Sequence, residues 1–172
     1  FVAIAEDLAD TDAPGRIVAR AVEAFGGVDI LVNNAGIIRR ADALDFTPDD
    51  WNDVLDVNLK AAFFLAQAVA RRLVEQRHGG KIVNVASMLS YQGGVRVASY
   101  TASKSGILGL TRLLANEWAA RGINVNAIAP GYMATDNTAP LRADPHRSAE
   151  ILARIPAGRW GEPADLDGAV VF

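Results

Sequence analysis

The spacing of apolar residues along the chain alternates between two periods, one typical of strands and the other of helices. Short continuous apolar runs predict buried strands, because a strand that is covered on both faces needs no polar alternation. Runs of this kind occupy residues 1–5, 28–32, 81–86 and 123–128. Apolar residues that recur every three or four positions predict helices between these runs. The helical spacing covers residues 13–25, 47–77 and 99–121, and a shorter helix is predicted over residues 148–154.

Capping residues mark where the predicted helices begin and end. Thr47 offers a hydroxyl cap, and Pro48 suits the first helical position. The acidic side chains of Asp49 and Asp50 lie near the positive end of the helix dipole. Gly122 closes the third long helix, since glycine readily adopts the left-handed conformation that ends a helix.

The order of strands and helices predicts an α/β fold, a doubly wound parallel sheet with a Rossmann-like arrangement. Residues 1–172 suit a single domain, because a chain of this length supports one hydrophobic core. The stretch 132–163 is largely irregular, and we expect it to form a lid for a substrate within that domain. Ligands of such sheets bind beyond the carboxyl ends of the strands, which directs attention to Asp7, Asn33 and the residues from Ala86 and Ala129 onward.

Composition narrows the classes of protein that fit this fold. The 17 basic and 20 acidic side chains give a formal charge of -3, which argues against a nucleic-acid partner held by its phosphates. With 0 cysteines, a disulfide framework, a thiolate zinc site and a cysteine nucleophile are excluded. His78 and His146 have no acidic partner at ligand spacing, so we expect no metal site. No apolar stretch approaches the roughly 18 residues that span a bilayer, so we expect no membrane partner and a cytoplasmic protein.

Both ends of the sequence fall within apolar runs, at residues 1–5 and 168–172. A natural terminus is more often polar and frayed. We therefore expect the chain to be part of a longer protein.

Tyr100 and Lys104 are four residues apart, which places their side chains on one face of a helix. A free phenol has a pKa of about 10, and a neighbouring ammonium lowers that pKa by favouring the phenolate. Tyr100 could then act as a general acid and base near neutral pH. The same spacing also suits an ordinary tyrosine packed beneath a lysine side chain.

Two further polar residues, Ser87 and Asn58, lie where a predicted strand ends and inside a predicted helix. Ser87 ends the third predicted strand, thirteen residues before Tyr100, where its hydroxyl could hold a carbonyl or carbinol oxygen. Asn58 lies inside the long helix although asparagine is a poor helix former, so it predicts a local kink. The alternatives are a serine that merely closes a strand and a polar residue that makes one helix-bending hydrogen bond.

Taken in order, these residues resemble the short-chain dehydrogenase/reductase family. The matching pieces are the turn Asn33-Asn34-Ala35-Gly36 after a strand, the helical Asn58, the set of Ser87, Tyr100 and Lys104, and Pro130-Gly131 after the following strand. Each piece is weak by itself, whereas the ordered set is highly specific and spans the whole chain.

The resemblance implies a role for each matched residue. Tyr100 would be the catalytic acid and base, and Ser87 would orient the oxygen of the substrate. Lys104 would lower the pKa of Tyr100 and bind the nicotinamide ribose, and Asn58 would support a water-linked proton relay. The implied cofactor-binding residues are Asp7 and Leu8 beside the adenine, Asn33, Ala35 and Gly36 along the adenosine side, Tyr100 and Lys104 at the ribose, and Pro130, Gly131, Met133 and Thr135 around the nicotinamide.

The sequence departs from the family pattern in one respect. The Gly-rich phosphate-binding turn of the family lies between its first strand and first helix, and the sequence has no such turn. The first βαβ unit and the C-terminal strand of the family fold are missing as well. The residue that selects NAD or NADP belongs to that part, so NAD is expected and NADP is not excluded.

Segments that vary within the family point to a class of substrate. Residues 87–94, 131–135, 141–144 and 155–161 resemble the dehydrogenases of deoxy sugar acids, described as 2-deoxy-D-gluconate 3-dehydrogenases or 2-dehydro-3-deoxy-D-gluconate 5-dehydrogenases. This resemblance implies hydride transfer between NAD(H) and a deoxy sugar acid. A 3-oxoacyl thioester reductase or a polyol dehydrogenase would share the catalytic residues. A truncated, non-catalytic protein kept for binding or assembly is the alternative of another class.

A carboxylate substrate calls for a guanidinium partner, because the two groups form paired hydrogen bonds. The candidates are Arg96, Arg142, Arg147 and Arg154, each of which would equally suit a solvated surface. Arg39-Arg40, directly after the turn, suits solvent or a helix end better. The family resemblance also implies a homotetramer in which the long helices around Asn58 and Tyr100 pack between subunits.

Overall fold

Three parallel strands form a sheet in the order in which they occur along the chain. In the computed structural model, which describes residues 1–171, these strands are β1 (Ile30–Asn33), β2 (Gly80–Val85) and β3 (Ile123–Ile128). Asn33 of β1 pairs with Asn84 of β2, and Asn84 pairs in turn with Ala127 of β3. The carboxyl ends of the strands therefore meet at one edge of the sheet, as predicted for an α/β parallel fold.

Helices connect the strands at the positions that the apolar spacing predicts. The first 128 residues contain α1 (Ala13–Phe25), α2 (Pro48–Leu55), α3 (Ala62–Gln76) and α4 (Ala98–Trp118). Thr47 caps α2 as predicted, since its side chain accepts a hydrogen bond from the backbone N–H of Asp50 at 3.1 Å. Gly122 has a φ of 74°, the left-handed conformation that ends the helical stretch after α4.

The kink predicted at Asn58 is present as a change of helix type. Residues Asp56–Ala61 form a π-helical segment between α2 and α3, and Asn58 is 1% exposed within it. A π-helical turn is wider than an α-helical turn and commonly marks a functional site. It allows the chain to continue as one long helical stretch while Asn58 is buried between Ile37 and Ser103 of α4.

The hydrophobic core of the first 128 residues lies where α3 and α4 pack on one face of the sheet. The buried residues of this core are Ala66, Val69, Ala70, Leu73, Ile82, Leu114, Ile123 and Val125. On the strands, alternate residues point the other way, so Ile30 and Val32 of β1 are 62% and 45% exposed.

The strand predicted at residues 1–5 is wrong for this structure. Strand β1 pairs only with β2 among residues 1–171, and residues 1–5 have no regular secondary structure. Phe1 and Val2 are exposed. An apolar run becomes a strand only when a neighbouring strand satisfies its backbone N–H and C=O groups, and the sequence of the run cannot supply that partner.

The chain divides into two compact units, Phe1–Ile128 and Ala129–Phe172. The second unit holds α5 (Ala139–Ala143), α6 (Pro145–Leu152) and α7 (Asp167–Val171). Helix α6 confirms the short helix predicted near residues 148–154, whereas α5 was not predicted. The boundary precedes the expected lid at residues 132–163, and the single domain over residues 1–172 stays a prediction; Phe172 lies outside the described residues.

Candidate active site

Ser87 follows β2 and begins a short turn at the carboxyl edge of the sheet. Its backbone is extended, and its Oγ accepts a hydrogen bond from the N–H of Leu89 at 3.1 Å. This makes Ser87 the cap of a single 3-10 turn, Met88–Ser90. The predicted position of Ser87 at the end of a strand is therefore confirmed, and the turn fixes the direction in which its hydroxyl points.

Tyr100 and Lys104 lie one turn apart near the start of α4. The Nζ atom of Lys104 stands 5.7 Å from the centroid of the Tyr100 ring, within range of a cation–π contact. The same atom donates a hydrogen bond to the carbonyl oxygen of Val85, the last residue of β2, at 2.6 Å. Lys104 thus ties the first turns of α4 to the end of the strand that leads to Ser87.

Burial dominates the electrostatics of both side chains. It raises the pKa of Tyr100 above 10.0, against smaller lowering effects from a hydrogen bond with Ser87 and from the charge of Arg40. Burial also lowers the pKa of Lys104 from 10.5 to about 8, because an ammonium loses hydration in the interior. The effect of Ser87 on this pKa shows that the two predicted catalytic hydroxyls lie close together.

The expected lowering of the Tyr100 pKa by Lys104 is not found in this structure. The groups that lower it are Ser87 and Arg40, and burial outweighs both. The Nζ of Lys104 donates to the carbonyl oxygen of Val85 and lies 5.7 Å from the centroid of the Tyr100 ring. The neutral phenol is therefore the favoured form of Tyr100 in the chain without ligands.

Asn58 uses its amide to hold the loop that follows β1. Its Oδ1 accepts from the backbone N–H of Ile37 at 2.8 Å, and its Nδ2 donates to the carbonyl oxygen of Ile37 at 2.9 Å. Nδ2 also donates to the Oγ of Ser103, next to Lys104, at 3.2 Å. The side chain of Asn58 thus joins the loop after β1 to α4, while its part in a proton relay stays a prediction.

Asn33 points into the interior rather than toward an open site. Its Nδ2 donates to the carbonyl oxygen of Ala62 at 3.1 Å and to Oδ1 of Asn84 at 2.9 Å. Asn84 then donates to the hydroxyl of Thr111, which donates to the carbonyl oxygen of Ile107. This buried chain of hydrogen bonds connects β1, β2 and α4, a structural use that the expectation of cofactor binding at Asn33 missed.

The other residues predicted to bind a cofactor in the first unit lie in turns. Asp7 accepts a hydrogen bond from the N–H of Ala9 at 2.9 Å, and Leu8 follows it in the same turn. Ala35 and Gly36 are exposed after β1. A Cβ atom at Gly36 would stand 3.3 Å from Oδ1 of Asn58 and 3.6 Å from Nζ of Lys104, so glycine leaves bare backbone beside the ammonium.

These residues fit the ribose end of a nicotinamide dinucleotide. The Lys104 ammonium has three protons, and the hydrogen bond to Val85 uses one of them. No other protein acceptor is found for this ammonium among residues 1–171, although Lys104 is 4% exposed. A pair of ribose hydroxyls would supply acceptors of the right chemistry beside the bare backbone of Gly36.

The predicted arginine in the first unit is already engaged. Arg96 has a φ of 65° and forms a salt bridge from its Nε to Asp42 at 3.1 Å. Arg39 pairs with Asp50 and Asp53, whereas the charge of Arg40 acts on the Tyr100 hydroxyl. From the sequence, Arg39-Arg40 was a candidate pair expected to face solvent or a helix end, and the effect of Arg40 on Tyr100 was not predicted.

The second unit carries the remaining predicted residues. Met133 forms a parallel bridge with Gly161, and Thr135 shares a capping box with Thr138. Arg142 donates to the carbonyl oxygen of Thr135 at 3.2 Å, and Arg147 forms a salt bridge with Glu150 at 2.9 Å. Pro130 and Gly131 precede this region without regular secondary structure, and Arg154 follows α6 in a turn.

Metal sites and membrane-spanning helices are two further features to consider in the part of the chain that the structure describes. Within residues 1–171, no group of three or more His, Cys, Asp or Glu side chains is placed to hold a metal ion. Over the same residues, no helix combines the length and apolar character that crossing a membrane requires.

Residues 1–146 match the family model described as short chain dehydrogenase. The chain is 62% identical over 172 residues to the 2-dehydro-3-deoxy-D-gluconate 5-dehydrogenase of Dickeya dadantii strain 3937, covering 100% of the chain and 68% of that relative. It is equally 62% identical, with the same coverage, to the enzyme of that name from Escherichia coli strain K12.

A solved structure similar to the chain is a protein from Agrobacterium tumefaciens, proposed to be a 2-deoxy-D-gluconate 3-dehydrogenase, with bound NADP. It is 58% identical with a TM-score of 0.88, over 98% of this chain and 67% of that one. A gluconate 5-dehydrogenase from Burkholderia cenocepacia J2315, in complex with NADP and tartrate, is 40% identical with a TM-score of 0.92, over 97% of this chain and 65% of that one.

Proposed function

The chain belongs to the short-chain dehydrogenase family of oxidoreductases, and from this premise we propose that it transfers a hydride between a nicotinamide dinucleotide and a deoxy sugar acid. The substrate class is 2-dehydro-3-deoxy-D-gluconate or 2-deoxy-D-gluconate, because relatives at 62% and 58% identity carry these names. The cofactor is NAD or NADP, and the NADP bound in the similar structures supports both a dinucleotide and this chemistry.

The observation that carries the proposal is that the Ser87 hydroxyl, the Tyr100 phenol and the Lys104 ammonium lie together at one site. The Ser87 hydroxyl is close enough to Tyr100 to lower the pKa of the phenol, and the ammonium lies 5.7 Å from the Tyr100 ring. A substrate oxygen that accepts from both hydroxyls is held and protonated at one point. A bound nicotinamide would supply or accept the hydride.

In the reducing direction, Tyr100 donates its proton to the carbonyl oxygen of the substrate while Ser87 holds that oxygen in place. The raised pKa of Tyr100 keeps the phenol protonated for this step. In the oxidising direction, the phenolate accepts the proton of the carbinol, so oxidation requires Tyr100 to lose its proton first. Lys104 and the backbone at Gly36 orient the ribose, and Asn58 holds the loop that carries Gly36.

A guanidinium binds the carboxylate of the sugar acid in this proposal. Arg96, Arg142, Arg147 and Arg154 remain candidates on the grounds of charge. Arg40 is also a candidate, because its charge lowers the pKa of Tyr100. A substrate whose reacting oxygen lies at Tyr100 would therefore be attracted by the same positive charge. Arg96 and Arg147 would first have to leave Asp42 and Glu150.

The homotetramer stays a prediction, and an open apolar groove supports it. The groove has a volume of about 590 Å³ and is lined by Leu55, Asp56, Leu59, Lys60, Phe63, Gly106, Gly109 and Leu110. Its walls come from the long helices that were expected to meet between subunits, and Phe64 and Leu113 on the same helices are 42% and 46% exposed.

The decisive experiment follows absorbance of the reduced nicotinamide at 340 nm with 2-dehydro-3-deoxy-D-gluconate and each dinucleotide. We expect turnover by the purified protein and a loss of about a thousandfold in kcat for Tyr100→Phe, since general acid–base catalysis contributes 10²–10⁴. Tyr91→Phe is the matched control, because Tyr91 is 74% exposed. Turnover of only a 3-oxoacyl thioester or a polyol would contradict the substrate class. Absence of dinucleotide binding would instead indicate a non-catalytic protein.

A further inference from the structure

We propose that Ser90 is a positioning residue that sets the placement of Ser87 against α4 and thereby the distance of the Ser87 hydroxyl from Tyr100. The inference concerns a residue outside the catalytic set, and it rests on the proposed function only for its effect on turnover. Its basis is the position of one hydroxyl group between the two parts of the site.

The hydroxyl of Ser90 makes two hydrogen bonds that join these parts. It donates to the backbone carbonyl oxygen of Lys104, inside α4, at 2.7 Å. It accepts from the backbone N–H of Ser87 at 3.3 Å. One atom therefore links the backbone of the residue that holds the substrate oxygen to the backbone of the lysine beneath Tyr100.

The same turn constrains Ser87 from the other direction. The Ser87 hydroxyl accepts from the N–H of Leu89, and the Ser87 N–H donates to Ser90, which is the reciprocal arrangement of a capping box. Ser87 is 8% exposed, so solvent cannot readily replace the bond that Ser90 accepts. The side chain at position 90 thus supplies a hydrogen bond that joins this turn to α4.

Small displacements at this point matter for the reaction. A misplacement of about 1 Å between a catalytic group and the reacting atom can reduce the rate by roughly a hundredfold. Removal of the Ser90 hydroxyl leaves Ser87 attached to β2 but releases its turn from the carbonyl of Lys104. The Ser87 hydroxyl should move away from Tyr100, and Tyr100 should lose part of the stabilisation of its phenolate.

Titration of Tyr100 measures this directly, without substrate or dinucleotide. The groups that act on its hydroxyl are Ser87 from the turn after β2 and Arg40 from the loop after β1, with Lys104 lying under the ring from α4 itself. Of these, Ser87 and Lys104 are linked to Ser90 through their backbones, and only Ser87 acts on the hydroxyl itself. The pKa is read from the ¹³Cζ chemical shift of tyrosine, with Tyr100→Phe used to assign the signal among the 3 tyrosines.

A double-variant cycle distinguishes positioning from a general structural effect. We expect Ser87→Ala and Ser90→Ala each to raise the Tyr100 pKa, and the double variant to equal Ser87→Ala, because Ser90 acts through Ser87. Ser105→Ala removes an exposed hydroxyl beside Lys104 on the same helix and should leave the pKa unchanged. A Ser90→Ala pKa equal to wild type, or a double variant whose shift is the sum of the single shifts, would overturn the proposal.

Turnover provides the second readout. We expect Ser90→Ala to lower kcat about tenfold with KM nearly unchanged, and Ser90→Thr to recover most of the loss because it restores a hydroxyl. Gly26→Ala, at the end of α1, strains a left-handed residue outside the site and controls for reduced stability alone. Should Ser90→Ala fail to fold, Ser90→Cys, with its weaker donor, should give an intermediate pKa shift. The titration decides the proposal even for a protein that turns over none of the substrates tested, so its failure is distinct from that of the proposed function.

Discussion

The two ends of β2 differ in their surroundings. At the amino end, the glycine backbone at residues 79 and 80 lies against other backbone atoms. At the carboxyl end, β2 leads to Ser87, whose neighbours are polar side chains. A Cβ atom at Gly79 would stand 2.3 Å from the carbonyl oxygen of Gly122, and one at Gly80 would stand 2.7 Å from that of Asp29. At the other end, the last carbonyl of β2 accepts from the buried ammonium of Lys104.

The difference shows how one strand separates stability from chemistry. At the amino end, close backbone approach excludes every side chain larger than hydrogen, so changes there should alter the free energy of unfolding. At the carboxyl end, polar atoms are buried at a cost in stability, and in the proposed function their positions serve the reaction. Substitutions at the two ends should therefore separate these two quantities.

The largest stability effect is expected at Gly79. Gly79→Ala should lower the free energy of unfolding by roughly 3 kcal/mol or more, through the overlap with Gly122 and through its φ of +70°. Urea unfolding followed by circular dichroism measures the change. Gly26→Ala is the matched control, since Gly26 has a φ of +81° with nothing within 4 Å of a Cβ. It should cost about 1 kcal/mol, and equal losses at both sites would refute the role of the overlap.

The next effect concerns Lys104 and depends on pH. The pKa of Lys104 is about 8 in the folded chain and 10.5 when unfolded, so unfolding takes up a proton between these values. The free energy of unfolding of the wild type, relative to Lys104→Met, should thus increase from pH 8 to pH 10.5 by up to roughly 3 kcal/mol. The increase is complete above pH 10.5 and is lost as the pH falls to 8.

Unfolding by urea at a series of pH values tests this expectation. Lys60→Met, in which an exposed lysine paired with Asp56 is removed, controls for the loss of an ammonium at the surface. A constant difference between wild type and Lys104→Met across this range would mean that burial does not depress the Lys104 pKa.

The smallest effect compares two threonines on α4. The hydroxyl of Thr101 is buried without a hydrogen-bond partner among residues 1–171, whereas that of Thr111 bonds to Asn84 and Ile107. Thr101→Val should therefore stabilise the protein by about 1 kcal/mol, because an unsatisfied polar atom is removed. Thr111→Val should destabilise it by about 1–3 kcal/mol, since Asn84 loses its acceptor. Thermal unfolding of both variants decides the matter, and shifts of the same sign would contradict it.

Local features of the sequence accounted for most of the helices and for the central site residues. Helix caps such as Thr47 act within three or four residues, and the poor helix propensity of Asn58 correctly predicted a disturbance inside a long helix. The spacing of Tyr100 and Lys104 placed both on one face of α4. These properties depend on neighbours along the chain, so they can be read from the sequence.

Contacts between distant segments could not be predicted in this way. Asn33 looked like part of a cofactor site, yet its amide bonds to Asn84, which is 51 residues away. Ser90 carried no signal because its partners are a backbone N–H and a backbone carbonyl, which every residue possesses. The strand expected at residues 1–5 failed for a related reason, since strand formation depends on a neighbouring strand and not on the run itself.

The sequence by itself determined the alternation of strands and helices, the family and the residues proposed to handle the proton, because periodicity, capping and motif spacing are local and chemical. Only the tertiary structure decided the state of those groups. Burial raises the pKa of Tyr100 and lowers that of Lys104, Arg40 acts on Tyr100 from another loop, and Ser90 joins two segments. The solvation of a side chain and the charges near it depend on which distant segments the fold brings together. They therefore cannot be predicted from any single stretch of the sequence.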